Sequence, residues 1–310
     1  MSTMIQAFDE LLQRVALLSP KRILVVNPGN PETFQAIADA GKKLPTSFLL
    51  VGDPEVIRRG LTKAGADQPK SEIIDGSSKV RALELAISIS REEKADVLMK
   101  GSVDTSTMMR AVLQESAGLR TGRLLSDIFI FEFPPRKENK LIMITDGGIT
   151  VSLDLKAKVD LIKNAVFVAH ALGNAEPKVA VLSATEFVQP ALVSTIDAAA
   201  LSKMNERGQI KGCIVDGPLA LDNAISPEAA AEKGIRSRVA GHADILLAPS
   251  IEAANSLAKS TTYFAGYRLA HVVVGARIPI LIPSRADTSD AKLLSIAIGM
   301  LMSETHWQED

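Results

Sequence analysis

Residues 22–52 read "RILVVNPGNPETFQAIADAGKKLPTSFLLVG". "RILVVNP" and "TSFLLVG" are short apolar runs of strand length, and "PETFQAIADAGKK" between them has a helical pattern. Two strands separated by a helix pair in parallel, because the crossover returns the chain to its starting edge. The rhythm repeats through "DPEVIRRGLTKAG", "SEIID", "SSKVRALELAISISREEK" and "ADVLMKG", which predicts an α/β domain. The runs are apolar almost without interruption, as expected of strands covered by helices on both faces.

The rhythm changes after residue 120. "SDIFIFEFP" and "KLIMITDGG" are separated only by "PRKEN", which leaves no room for a crossover helix and predicts an antiparallel pair. Alternation resumes through "KVAVLS", "KGCIVDG" and "ADILLAP", giving a second α/β domain with a mixed sheet. Near the C-terminus "IPILIP" reads as a buried strand and "DAKLLSIAIGML" as a helix, with the polar crossing "SRADTSD" between them.

Composition narrows the function classes. The chain has 310 residues, is 46% hydrophobic and 23% charged, and carries a net charge of −1, so no basic field attracts nucleic acid or an anionic membrane. Aromatic residues are 4%, too few for base-stacking platforms. The single cysteine, Cys213, excludes an intrachain disulfide and a multi-cysteine metal site, and reads as a small core residue. The N-terminal "MSTMIQAFDELLQRVALL" carries acidic residues within its apolar pattern and reads as an amphipathic helix rather than a signal peptide. A soluble cytoplasmic protein is expected.

Open α/β sheets bind ligands outside the carboxyl ends of their strands. Those ends are unusually polar here. "ILVV" is followed by Asn27 to Asn30, and "DVLM" by Lys100, Gly101, Ser102 and the stretch to Thr107, with Arg110 one helical turn on. "LIMI" leads into Thr145 to Gly148, "CIV" into Asp216, Asp222 and Asn223, and "PILIP" into Ser284, Arg285 and Asp287. Helix capping by Thr105 or Ser106 accounts for hydroxyls but not for Lys100 and Arg110 beside them. Hydroxyls and a cation at a helix N-terminus suit an oxyanion. Ser226 before Pro227 reads as an ordinary cap. The four histidines show no metal-ligand spacing, His170 reading as a packed helix residue. Neither G-x-G-x-x-G nor a nucleotide P-loop occurs, and the scattered aspartates form no compact metal constellation.

Five stretches carry a family resemblance: "ADVLMKGSVDTSTMMRAVL", "GLRTGRLLSD", "GQIKGCIVDGPLALDNAIS", "KGIRSRVAGHADILLAPSIEAAN" and "PILIPSRADTSDAKLLSIA". They resemble the phosphate acetyl/butyryltransferase family, more closely its butyryltransferase branch. The resemblance implies two α/β domains with a cleft between them, similar to the isocitrate and isopropylmalate dehydrogenases. Residues 1–120 with 274–310 would form the first domain and 121–273 the second. It implies reversible exchange of a short acyl group, butyryl or acetyl, between CoA and phosphate in a ternary complex. No permanent cofactor or metal is implied; CoA or acyl-CoA and phosphate are the substrates, and a homodimer or larger assembly is usual.

Carried over by position, Ser284 and Arg285 match the family's Ser-Arg pair, Ser284 for the CoA sulfur and Arg285 for the thioester oxygen or phosphate. Arg110 matches a phosphate-binding arginine, and Lys100, Ser102, Thr105, Thr107, Asp216 and Asn223 complete the implied substrate contacts. The family's catalytic aspartate does not align cleanly, so Asp287 and Asp290 are both candidates. Asp290 also reads as a first-turn carboxylate favoured by the helix dipole. Asp127 stands where butyryltransferase-like sequences usually have histidine. Competing readings are a CoA-binding protein without catalysis and a metal- and NAD-dependent dehydrogenase on the same fold.

Overall fold

A computed structural model describes residues 4–66, 71–133 and 140–305. The stretch "PRKEN" and the C-terminal His306 and Trp307 lie outside the described residues. The chain divides into two compact units, Phe8–Arg123 with Arg268–Asp310, and Met1–Ala7 with Leu124–Tyr267. They are called the first and the second unit below.

The first unit begins with α1 (Phe8–Val15), then β1 (Lys21–Val26), α2 (Pro31–Lys43), β2 (Thr46–Gly52), α3 (Pro54–Lys63) and β3 (Ser71–Asp75). It continues through α4 (Lys79–Arg91), β4 (Val97–Lys100) and α5 (Thr105–Leu113). The second unit contains β5 (Ser126–Phe133), β6 (Lys140–Thr145), α6 (Leu155–Ala171), β7 (Lys178–Leu182) and α7 (Val193–Glu206). There follow β8 (Ile214–Leu219), α8 (Leu221–Ile225), α9 (Pro227–Glu232), β9 (Ile245–Leu247) and α10 (Ile251–Tyr263). The chain then re-enters the first unit with β10 (Leu269–Val274), β11 (Ile280–Leu281) and α11 (Ser289–Ser303).

In the first unit the strands run β3-β2-β1-β4-β11-β10, parallel except for the β10–β11 pair. Ile23 to Val26 of β1 and all of β4 are buried, which explains their unbroken apolar character. The crossover helices start where the local chemistry dictates. Asn30 accepts from the Thr33 N–H ahead of Pro31, Asp53 caps α3 ahead of Pro54, and Ser78 accepts from the Arg81 N–H. In α1, Phe8, Leu11 and Val15 are buried while Asp9 and Glu10 are exposed, the expected amphipathic pattern over a shorter span. Helix α11 is buried from Lys292 to Met302 and packs on α2 and β10. A large apolar side chain fully buried in this way contributes roughly 1.5–3 kcal/mol.

In the second unit the order is β5-β6-β9-β7-β8, with β5–β6 antiparallel and the other neighbours parallel. The close spacing of "SDIFIFEFP" and "KLIMITDGG" thus has the expected consequence. The C-terminal apolar run departs from its reading. Only Ile280 and Leu281 of "IPILIP" form a strand, because Pro279 and Pro283 on either side have no N–H to donate to a ladder. The segment before it turns back, so that Val273 faces Ile280 in an antiparallel pair.

Candidate active site

The ends of β1 and β4 are fused through backbone. The Gly101 N–H donates to the Val26 carbonyl (2.8 Å) and the Ser102 N–H to the Asn27 carbonyl (2.7 Å). A side chain at Gly101 would put its Cβ 2.3 Å from the Asn27 oxygen, so this crossing requires glycine. A Cβ at Gly29 would come 2.5 Å from Ser102 Oγ, which places the Ser102 hydroxyl against the loop after β1. Asn30 reaches the next loop, its Nδ2 donating to the Arg285 carbonyl at 3.3 Å.

Three strand ends are thereby joined, and their charged groups converge. Arg285 Nη2 donates to Asp104 Oδ1 at 2.7 Å, with both side chains about two-thirds exposed (67% and 68%). An ion pair so exposed contributes about 0–1 kcal/mol and yields readily to an incoming anion. Lys100 is buried, and its ammonium is held below the ordinary lysine range, chiefly by that burial and then by Arg285. Asp287 and Asp104 act in the opposite sense. Helix α5 begins at Thr105 with Asp104, not Thr105 or Ser106, as its N-cap, and the Asp104 side chain does not cap the helix. It is turned to Arg285 instead.

Thr107 and Arg110 are exposed on α5. With Asp104 they line a groove of about 610 Å³ between α4 and α5, whose apolar wall includes Leu83, Ile87 and Ala111. Thr105 is half-buried at the head of the same helix.

The two candidate aspartates have different surroundings. Asp287 Oδ2 accepts from the Ser284 N–H at 2.7 Å and lies 3.5 Å from His271 Nε2. Asp290 is held by the Nε and Nη2 of Arg268 at 3.1 and 3.2 Å, and Arg268 also pairs with Asp9 at 2.9 Å and covers the Phe8 ring. Asp290 therefore fastens the first turn of α11 to α1. An Asp290→Asn variant is expected to lose about 1 kcal/mol of stability and to keep turnover within about threefold of wild type. Thermal melting and steady-state kinetics check the two halves; a hundredfold fall in turnover would restore Asp290 to the chemistry.

Asp216 and Asn223 lie in the second unit. Asp216 Oδ1 accepts from the Gly217 N–H at 2.8 Å, and Asn223 is fully buried with its Nδ2 3.3 Å from Glu186 Oε2. Asp222 pairs with Lys233 at 3.1 Å, and Ser226 caps α9 as expected. The Asp146 carboxylate holds its own loop, accepting from the N–H groups of Gly148, Ile149 and Thr150. Its carboxyl is raised above the usual range by burial first and by the nearby Asp127 charge second. Asp127 is itself buried against Gly148, where a Cβ would come 2.4 Å from its Oδ2.

Cys213 is half-buried rather than a core residue, and burial pushes its thiol up to about 12. At pH 8 the thiolate is on the order of one part in 10⁴ of the total, so a disulfide thiol reagent is expected to leave the native protein unmodified and to titrate one thiol in urea. Rapid labelling of the native protein would contradict this.

Two residues were not singled out in the sequence. Lys292 is almost fully buried and its Nζ donates to the Asp287 carbonyl, while its ammonium is depressed by burial and supported by Asp287. The one charged residue in the mostly apolar "AKLLSIAIGMLM" was the available signal. His271, in the apolar β10, is the other.

An α/β chain with a Ser-Arg loop, a buried lysine and a cation-lined groove at its strand ends has the fold of the phosphotransacylases. A branched-chain phosphotransacylase from Enterococcus faecalis V583 superposes with a TM-score of 0.82 over 92% of this chain and 100% of its own, at 27% identity. The sequence profile described as "Phosphate acetyl/butaryl transferase" matches residues 77–300, and the chain belongs to that family. It is 41% identical over 300 residues to the phosphate butyryltransferase of Clostridium acetobutylicum, covering 97% of this chain and 99% of the relative. It is 40% identical over 298 residues to the phosphate acetyltransferase of Thermotoga maritima, covering 96% and 100%.

Proposed function

We propose that the protein transfers a short-chain acyl group, butyryl or acetyl, reversibly between CoA and inorganic phosphate, with both substrates bound at once. The observation that carries the reading is the convergence of Arg285 and buried Lys100 with Asp104 and Ser284 at neighbouring strand ends. Phosphate must be brought against a thioester carbonyl, which needs fixed cations. Lys100 and Arg110, with the hydroxyls of Ser102, Thr105 and Thr107, supply the groups for phosphate. When a phosphate oxygen adds to the carbonyl carbon, the carbonyl oxygen becomes an oxyanion, and Arg285 turns from Asp104 to meet it.

Collapse breaks the C–S bond and releases CoA, whose sulfur accepts a hydrogen bond from the Ser284 hydroxyl. In the reverse direction the thiol, with an ordinary pKa of about 8.5, must lose a proton to a nearby base. We assign that role to Asp287, beside Ser284, rather than to Asp290, which Arg268 already holds. The α4–α5 groove is far larger than phosphate requires and offers room for part of CoA. The isocitrate and isopropylmalate dehydrogenase-like arrangement and a cytoplasmic location belong to the same proposal. The strand–helix alternation supports the first and use of CoA the second.

The test is thiol release from butyryl-CoA and acetyl-CoA with and without phosphate. Release that requires phosphate is expected. Calorimetric CoA binding with no release from any short acyl-CoA would instead make the protein a CoA binder.

A further inference from the structure

The turn that presents Ser284 and Arg285 is closed on itself. The Ser284 N–H donates to the Asp287 carboxylate at 2.7 Å, and the Asp287 N–H returns to the Ser284 carbonyl at 3.2 Å. Arg285 rides on this turn, so whatever fixes Asp287 also fixes the backbone from which the guanidinium reaches. Two buried residues bear on Asp287 from different elements. His271, on β10, brings Nε2 to 3.5 Å from Asp287 Oδ2, the oxygen that receives the Ser284 N–H. Lys292, on α11, donates to the Asp287 main-chain carbonyl. His271 is fixed in turn by its own N–H, which donates to Ser295 Oγ at 3.1 Å, and Ser295 Oγ donates to the Ala291 carbonyl at 2.8 Å. Histidine and lysine 4% and 1% exposed are expensive to bury, and a core of leucines would pack as well.

We propose that His271 is a positioning residue for acyl transfer: acting through Asp287, with Lys292 holding the same residue from behind, it sets the turn that aims Ser284 and Arg285. This rests on the function proposed above. His271 is buried and acts through Asp287, so its removal is expected to lower kcat and to leave the affinities for acyl-CoA and phosphate in place.

The experiment is a double-mutant cycle on the full chain. His271→Leu is expected to lower kcat about 10- to 100-fold with both KM values within about twofold of wild type. His271→Gln, which restores an N–H near the position of Nε2, should recover most of the loss. In an Asp287→Asn background, adding His271→Leu should cost nothing further, because the two residues act as one unit. A second readout does not depend on turnover: in protein labelled with ¹⁵N-histidine, the ring signal assigned through His271→Leu should shift in Asp287→Asn. Wild-type kcat in His271→Leu, multiplicative losses in the double variant, or an unmoved His271 signal would each overturn the proposal. If the wild-type protein releases no thiol from acyl-CoA, the proposed function fails, and the ring signal still decides whether His271 answers to Asp287.

Discussion

Replacing Arg285 with alanine is expected to lower kcat/KM for acyl-CoA by about 10²- to 10³-fold, roughly 3–4 kcal/mol of transition-state stabilisation, while the protein stays folded. The two halves of that result come from one geometry. The guanidinium is 67% exposed and its partner Asp104 68% exposed, so their 2.7 Å ion pair contributes little to stability. In the proposed reaction the same guanidinium meets an oxyanion that exists only during transfer, where its charge lowers the barrier rather than the ground state. Arg285→Lys should recover only part of the activity, because a single ammonium cannot hold Asp104 or an oxyanion through a planar fork. A melting temperature within about 2 °C of wild type, with turnover lost, is the expected pairing. Near-normal turnover in Arg285→Ala would remove this residue from the chemistry.

The largest stability effect is expected at Gly101. An alanine Cβ there would lie 2.3 Å from the Asn27 oxygen and 2.5 Å from the Val26 oxygen, both backbone atoms that no side-chain rotation can move. Relief requires the ends of β1 and β4 to part, which breaks the 2.8 Å Gly101-to-Val26 and 2.7 Å Ser102-to-Asn27 bonds. Losing buried hydrogen bonds and straining the crossing should cost about 2–4 kcal/mol. For a chain of this size that lowers the melting temperature by about 3–6 °C. Activity should fall as well, since Lys100 and Ser102 flank the displaced residue. The contrast is Gly41→Ala in α2, where nothing lies within 4 Å of an added Cβ. That change should stabilise by about 0.5–1 kcal/mol, glycine being a poor residue for a helix interior. Equal melting temperatures for the two variants would contradict the steric reading of Gly101.

The strands were legible because burial on both faces leaves an apolar run too continuous to miss, as in "ILVV" and "DVLM". The caps were legible where they are local: Ser226 before Pro227 needs no tertiary information. The site was legible as a set of polar strand ends but not as a set of pairings. Arg285 and Asp104 are 181 residues apart, and nothing in either loop names the other. Separation in sequence also hid the choice between Asp287 and Asp290. Both sit near the start of α11, and what separates them is Arg268, which reaches Asp290 from 22 residues earlier. The capping expectation at Thr105 or Ser106 gave way to Asp104 because a partner outside the helix claims the cap's side chain. His271 and Lys292 stand out as polar residues in apolar runs, but their partner Asp287 lies on a loop that neither run names.

The most direct test of the proposed reaction is ³¹P NMR of the protein with butyryl-CoA and inorganic phosphate. An acyl phosphate resonance should grow as the phosphate signal falls, in step with free thiol, and should reverse when excess CoA is added. Thiol release with an unchanged phosphorus spectrum would mean that water, not phosphate, receives the acyl group, and would contradict the reaction proposed for this site.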